Sequence, residues 1–130
     1  MPQIQERMVS DVVTVEPSTR VVDAAKTMIE ENKGPLPVVE RGELVGMVTD
    51  RDLIERVLAE GVDPNSVTVN DVATKDLVTA APDQDVDEAR RLLVQHQLDR
   101  LLVVEGDRLV GIISEADIRS DDEPDPGGRL

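Results

Sequence analysis

The chain contains no cysteine, which excludes disulfides, thiol nucleophiles and cysteine-based metal sites. It also contains no Phe, Tyr or Trp, the side chains on which binders of single-stranded nucleic acid stack bases. The single histidine, His96, lies among polar residues of a predicted helix, and no nucleophile elbow accompanies it. No apolar run approaches the roughly 18 residues that cross a bilayer, and the first residues lack the pattern of a secretory signal. We therefore expect a cytoplasmic protein that is not an enzyme.

Basic residues are also scarce. The chain has 14 Lys and Arg against 28 Asp and Glu, a net charge of −14, and only Lys26, Lys33 and Lys75 are lysine. Such a field repels a phosphate backbone, so nucleic acid is not an expected partner. An acidic, lysine-poor composition is typical of proteins from a salt-rich cytoplasm, where screening shortens the reach of self-repulsion. An ordinary acidic protein from an arginine-rich genome is the alternative.

The strongest positive signal is an internal repeat. Shifting the chain by 65 residues aligns 11–53 with 76–118 without a gap and gives 14 identities in 43 positions. Unrelated segments of ordinary composition would share about three. The sequence is therefore a duplication, which predicts the following division: copy one at 1–61, a linker at 62–69, copy two at 70–119 and a flexible acidic tail at 120–130.

Each copy is predicted to begin with a short strand and a helix. A β-prone run ends before Pro17 or Pro82, and Ser18 or Asp83 is the predicted N-cap of the helix that follows. The apolar residues of each helix recur at helical spacing and predict its buried face. They are Val21, Ala24, Ala25, Met28 and Ile29 in copy one and Val86, Ala89, Leu92 and Leu93 in copy two.

Two strands and a closing helix complete each copy. The predicted strands are Leu36–Val39 and Leu44–Val48 in copy one, and Leu101–Val104 and Leu109–Ile113 in copy two. The closing helix begins near Asp50 or Glu115, and in copy one Leu53, Ile54, Val57 and Leu58 are predicted to pack. Because one copy has too little apolar surface to be stable alone, the two are expected to pack together. The predicted fold is α/β (α+β): two βαββα repeats related by a pseudo-twofold axis.

Each copy ends in the pattern Gly-apolar-apolar-Thr/Ser-x-x-Asp. The pattern occupies Gly46–Asp52 and Gly111–Asp117, each preceded by an apolar strand, Leu36–Val39 or Leu101–Val104. Over nearly the whole chain this arrangement resembles a pair of CBS (cystathionine-β-synthase) domains. The two-copy layout without a catalytic domain is similar to standalone CBS-pair proteins of the small stress-associated type.

The hydroxyl and the carboxylate of this pattern lie at a helix N-terminus, where unpaired N–H groups and a partial positive charge suit phosphate. A carboxylate can accept hydrogen bonds from two adjacent ribose hydroxyls. The resemblance implies these ligand-binding roles for Thr49, Asp52, Ser114 and Asp117. The same spacing equally fits a capping box that only satisfies helix N–H groups, and this alternative stays open.

The resemblance also implies clefts between the two repeats, in which backbone and small side chains hold an adenine. The positions implied for this contact are Thr14, Pro35, Thr79 and Leu101. Arg100 stands where the family often has a basic residue that reaches the phosphates, whereas its counterpart Pro35 cannot bind them. The alternative for Arg100 is a surface ion pair with a neighbour such as Asp99. Arg51 is a second candidate for holding an anion, and a place in a dimer interface is its alternative. The predicted ligand is an adenine nucleotide, bound preferentially where Arg100, Ser114 and Asp117 meet.

The predicted function is a non-catalytic regulatory module whose nucleotide occupancy is signalled to an unknown protein partner, with no cofactor beyond that ligand. The resemblance also implies a homodimer, formed mainly by helices. The alternative is a ligand-free dimerisation or interaction module. A divalent-metal site at Asp50 and Asp52, or in the acidic tail, is a weaker hypothesis; at Asp50 and Asp52 it is disfavoured because residues i and i+2 of a helix do not face each other.

Overall fold

The computed structural model of the protein describes residues 2–119, and their contacts form two units. The first unit comprises residues 13–77 and 107–109, and the second comprises 2–12, 78–106 and 110–119. Both units contain strands and helices, so the predicted α/β class is confirmed. The predicted acidic tail lies outside the described residues.

The first unit contains an antiparallel strand pair, with helices before and after it in the sequence. Its elements are α1 (Val21–Glu31), β1 (Leu36–Glu40), β2 (Glu43–Val48), α2 (Asp50–Leu53), a π-helical turn (Ile54–Leu58) and α3 (Val69–Val72). Val15 adds a parallel bridge to Val38 of β1. Its core residues are Val15, Val21, Ala24, Met28, Leu36, Val38, Val48, Leu53, Val57, Val69, Val72 and Ala73.

The second unit repeats much of this order. Its elements are a 3₁₀ turn (Ile4–Glu6), β3 (Thr79–Ala80), α4 (Val86–Gln95), β4 (Arg100–Glu105), β5 (Arg108–Ser114) and α5 (Glu115–Arg119). The first two residues of β5 are counted with the first unit, and the strand belongs to the second unit from residue 110 onward. Strand β3 runs parallel to β4. The core consists of Ile4, Ala80, Val86, Ala89, Leu93, Leu101, Val103, Ile113 and Ile118. No helix within residues 2–119 has the length and apolar character needed to cross a membrane.

The N-terminal segment packs with the second copy of the repeat. Ile4 is fully buried in the second unit and its N–H donates to Gln84 O at 2.8 Å. Val9 pairs with Ile112 through two backbone hydrogen bonds of 2.8 and 2.9 Å. The packing units therefore have bounds different from those of the predicted sequence copies, because identity between copies carries no information about which copy a flanking segment contacts.

The predicted N-caps Ser18 and Asp83 are wrong by two residues. Both lie in turns, which are closed by Thr19 N donating to Glu16 O at 3.1 Å in copy one and by Gln84 N donating to Ala81 O at 3.2 Å in copy two. The helices begin after Arg20 and Asp85. Asp85 is a true side-chain cap, since its carboxylate accepts from Asp87 N at 2.8 Å.

Three residues predicted to pack are instead exposed. Ile29 is 81% exposed, Ile54 57% and Leu58 66%. In α1 the buried stripe follows Val21, Ala24 and Met28, which leaves Ile29 beyond its edge. Ile54 and Leu58 each follow a buried residue, Leu53 or Val57, so they lie beyond the edge of the buried stripe of that helix. The first unit therefore carries unpartnered apolar side chains.

Candidate functional site

The first motif forms a complete capping box at the start of α2. Thr49 Oγ1 accepts from Asp52 N at 3.1 Å, and Asp52 Oδ2 accepts from Thr49 N at 2.9 Å. The Asp52 side chain is only 13% exposed. The capping role left open by the sequence is therefore present, and it occupies one oxygen of the carboxylate.

The second motif makes the same box with one addition. Ser114 N donates to Asp117 Oδ2 at 2.8 Å, and Asp117 N lies 3.4 Å from Ser114 Oγ. The Ser114 hydroxyl also donates to Asp117 Oδ2 at 2.9 Å. Asp117 Oδ1 makes no hydrogen bond or ion pair with residues 2–119, so it can accept from a ligand.

The glycine of each motif is buried against a crossing backbone segment. A Cβ on Gly46 would lie 3.1 Å from Thr74 O, and one on Gly111 would lie 3.0 Å from Val9 O and 2.5 Å from Met8 Sδ. Both segments pair with the residue after the glycine, since Thr74 bridges Met47 and Val9 bridges Ile112. The motif glycines thus position the strand end that precedes the hydroxyl. Sequence reasoning missed this role, because it depends on long-range contacts.

In the first unit the structure places Pro35 and Thr14 beside different elements. Asp50 N donates to Gly34 O at 3.2 Å, which places the Gly34-Pro35 turn beside the first motif. Thr14 is exposed and precedes Val15, whose N–H donates to Pro37 O of β1 at 3.0 Å. Pro35 is therefore next to the start of α2, and Thr14 is next to β1.

In the second unit, Thr79 pairs with Leu102, one residue beyond Leu101. The Leu101 side chain is fully buried in the core, so its backbone is the part that remains for a ligand. Arg100, at the start of β4, is exposed and makes no ion pair with residues 2–119, Asp99 included. Among the described residues, a cation without a partner therefore stands at the position where the resemblance implies phosphate binding.

One arginine lies within the first motif and another follows it, and they differ in their partners. Arg51, the second candidate for an anion, is 80% exposed and pairs with Glu55 at 3.1 Å. Arg56, which sequence reasoning did not single out, donates from Nη1 to Val72 O at 2.9 Å, and its Nε lies 4.0 Å from Asp52 Oδ1. The i,i+4 spacing of Asp52 and Arg56 is the signal that could have identified this contact.

The candidate metal ligands Asp50 and Asp52 contact different groups. Asp50 Oδ1 accepts from Arg51 N at 2.9 Å, whereas Asp52 caps α2. Within residues 2–119, no three His, Asp or Glu side chains gather as a metal site would require.

The pKa of Glu88 is lowered by a hydrogen bond from Arg91 on α4, an exposed pair that is not among the predicted site residues.

A surface cavity of about 480 Å³ lies in the first unit. Polar side chains that line it include Ser18, Glu40, Thr68 and Lys75, and none of the predicted site residues does so. It is therefore separate from the region around the first motif.

Comparison with known proteins identifies the family and a similar relative. The model of the CBS domain family matches residues 3–59 and 69–122. The CBS domain-containing protein YhcV of Bacillus subtilis is 38% identical over 118 residues, which cover 91% of this chain and 84% of YhcV.

The fold also matches solved structures. The crystal structure of Hypoxic Response Protein I with two coordinated zinc ions superimposes with a TM-score of 0.83 at 34% identity, covering 91% of this chain and 97% of that one. The crystal structure of CBSX2 in complex with AMP gives a TM-score of 0.80 at 27% identity, covering 91% and 93%.

Proposed function

Since the chain belongs to the CBS domain family and carries two tandem copies of that domain, we propose that it is a non-catalytic regulatory module that binds an adenine nucleotide. The ligand is of the AMP, ADP or ATP type, and its ribose and phosphate contact the second motif. Occupancy is read by a protein partner.

The observation that carries this proposal is a pair of polar groups without partners. Asp117 Oδ1 and the Arg100 guanidinium make no hydrogen bond or ion pair with residues 2–119. A carboxylate oxygen suits ribose hydroxyls, and a guanidinium suits phosphate. In a chain of net charge −14, an anion needs such a local cation.

The complex of CBSX2 with AMP supports an adenosine ligand for this chain, because the CBSX2 structure matches 91% of this chain. In our proposal Thr79 and Leu101, in the same unit as the second motif, contribute backbone and small side-chain contacts to the adenine; Thr14 and Pro35 belong with the first motif. Thr49 and Asp52 contribute less to nucleotide binding, because the first copy has Pro35 at the position that corresponds to Arg100 in the second. A cytoplasmic location, where adenine nucleotides are abundant, follows from this function.

Isothermal titration calorimetry on the full chain tests the proposal, with AMP, ATP and adenosine as separate titrants. We expect heat from AMP and ATP and a weaker response to adenosine, which lacks the phosphate that Arg100 binds. A parallel thermal-shift panel that includes S-adenosylmethionine, at low and high salt, identifies the preferred ligand. Absence of both heat and thermal shift with every adenine compound would refute the proposal.

A second candidate is a ligand-free dimerisation module. It is favoured by the exposed apolar side chains Ile29, Ile54 and Leu58 of the first unit, since a helix of a soluble monomer normally keeps such residues buried. The two functions are compatible, because a homodimer can also bind nucleotide. Dimerisation without any adenine-dependent stabilisation is the result that would favour this candidate alone.

A further inference from the structure

Arg56 is held between two elements of the first unit. Its Nη1 donates to Val72 O, at the end of α3, across 2.9 Å. A carbonyl at the end of a helix lacks an intrahelical partner, so this hydrogen bond has no competitor within α3. The bond fixes the guanidinium, whose Nε lies 4.0 Å from Asp52 Oδ1.

Both oxygens of the Asp52 carboxylate consequently have a positive or N–H neighbour. Oδ2 accepts from Thr49 N at 2.9 Å, and Oδ1 faces Arg56. Because the Asp52 side chain is 13% exposed, little solvent is available to exchange with these partners. We infer that Arg56 blocks the first motif, so that Asp52 does not accept ribose hydroxyls and the chain binds one nucleotide.

Within residues 2–119, Asp117 of the second copy makes no ion pair like that of Asp52 with Arg56. The period of 65 residues places Asp121 opposite Arg56 in the sequence, an acid in place of the base. Within residues 2–119, Asp117 Oδ1 has no partner. The copies thus differ in a residue that lies outside the shared Gly-x-x-Thr/Ser-x-x-Asp pattern, and the motif alone does not determine which copy binds.

This inference rests on the proposed function. It adds that Arg56 determines how many nucleotides one chain binds. Arg56→Gln removes the charge and retains a side-chain amide that can donate to Val72 O. Calorimetry with AMP should give one binding event for the unmodified chain and two for Arg56→Gln. The new event should be at least about tenfold stronger than any first-copy binding in the unmodified chain, because a charged competitor for Asp52 is gone.

Three further variants make the result specific. Arg56→Met, which lacks the amide donor, should also show the second event if it folds by circular dichroism. Asp52→Ala combined with Arg56→Gln should lose that event and keep the original one. Arg20→Met is the matched control, because Arg20 is an exposed arginine of the same unit that pairs with Asp23 at 3.3 Å; it should show one event.

The outcomes separate this inference from the proposed function. One event in the unmodified chain and one in both folded Arg56 variants overturns the inference and leaves the proposed function intact. Two events in the unmodified chain also overturn the inference. If neither AMP nor any other adenine compound binds to any variant, the proposed function is overturned, and the block with it.

Discussion

Ser114 Oγ donates to Asp117 Oδ2 across 2.9 Å, and this bond gives Asp117 Oδ2 two donors from the same residue while Oδ1 faces no donor within residues 2–119. The carboxylate is thereby oriented by its own cap and remains able to accept. Asp52 is oriented in the same way through Thr49 but has Arg56 beside its second oxygen. The two motifs are alike in sequence, but they differ in whether the second carboxylate oxygen has a charged neighbour among the described residues.

The first prediction follows from this difference. Asp117→Ala should weaken AMP binding by about tenfold to a hundredfold, because it removes charge-assisted hydrogen bonds to the ribose, whereas Asp52→Ala should change the affinity little. Calorimetry measures both. Each substitution also removes a capping partner worth about 0.5–2 kcal/mol, so thermal unfolding must show that both variants are folded. Equal losses of affinity in the two variants would contradict the asymmetry.

The second prediction concerns Arg100. Arg100→Met should weaken AMP binding by about tenfold or more and leave adenosine binding almost unchanged, since the guanidinium is expected to contact only phosphate. Arg91→Met is the control, because Arg91 is an exposed arginine of the same unit that pairs with Glu88. If both ligands lose affinity equally in Arg100→Met, the phosphate role is wrong.

The third prediction concerns Gly111. Gly111→Ala should lower the free energy of unfolding by about 1–3 kcal/mol, because the new methyl group meets Met8 Sδ and Val9 O. Shortening Met8 should relieve part of this overpacking, so Met8→Ala and Gly111→Ala should be non-additive in a double-mutant cycle. Chemical denaturation of the four proteins measures the coupling. Strictly additive losses would show that the N-terminal segment does not pack on this glycine.

The fourth prediction concerns self-association. The chain should form a homodimer, and the double substitution Ile54→Glu with Leu58→Glu should shift it toward monomer, because both side chains are exposed and apolar. Sedimentation velocity at micromolar concentration, in salt suited to the protein, measures the change. Lys26→Glu, on the exposed part of α1, tests whether added negative charge alone has the same effect. A purely monomeric unmodified chain would contradict the expectation.

The fifth prediction concerns salt. The midpoint of thermal unfolding should rise between about 0.1 and 1 M KCl, because the Debye length falls from about 10 Å to about 3 Å and screens the repulsion of 28 acidic residues. Differential scanning calorimetry measures the midpoint. An unchanged midpoint would favour an ordinary acidic protein over one adapted to high salt.

Much of the local structure was predictable from the sequence. Short apolar runs beside turn residues located β1, β2, β4 and β5 to within one or two residues, because burial in a sheet requires such runs. The spacing Thr49–Asp52 and Ser114–Asp117 located both capping boxes, since a hydroxyl and a carboxylate three residues apart meet at a helix start.

What could not be predicted depends on contacts distant in sequence. Periodicity assigns Ile54 and Leu58 to a packed face, but the face that is buried is set by the packing of Leu53 and Val57 in the core, which the local pattern does not reveal. The contact of Arg56 with Val72 joins two elements that propensity treats separately. The packing of Met8 on Gly111 requires knowledge of which unit the N-terminal segment enters.

The bridge between Val9 and Ile112 also bears on how the protein folds. Residues 2–12 precede residues 13–77 in the chain, whereas their partners in the second unit follow residue 77. The first unit is nearly contiguous in sequence, whereas the second is assembled from segments that lie far apart in the chain. Contacts of such high sequence separation are slow to form, so we expect the second unit to complete its packing after the first.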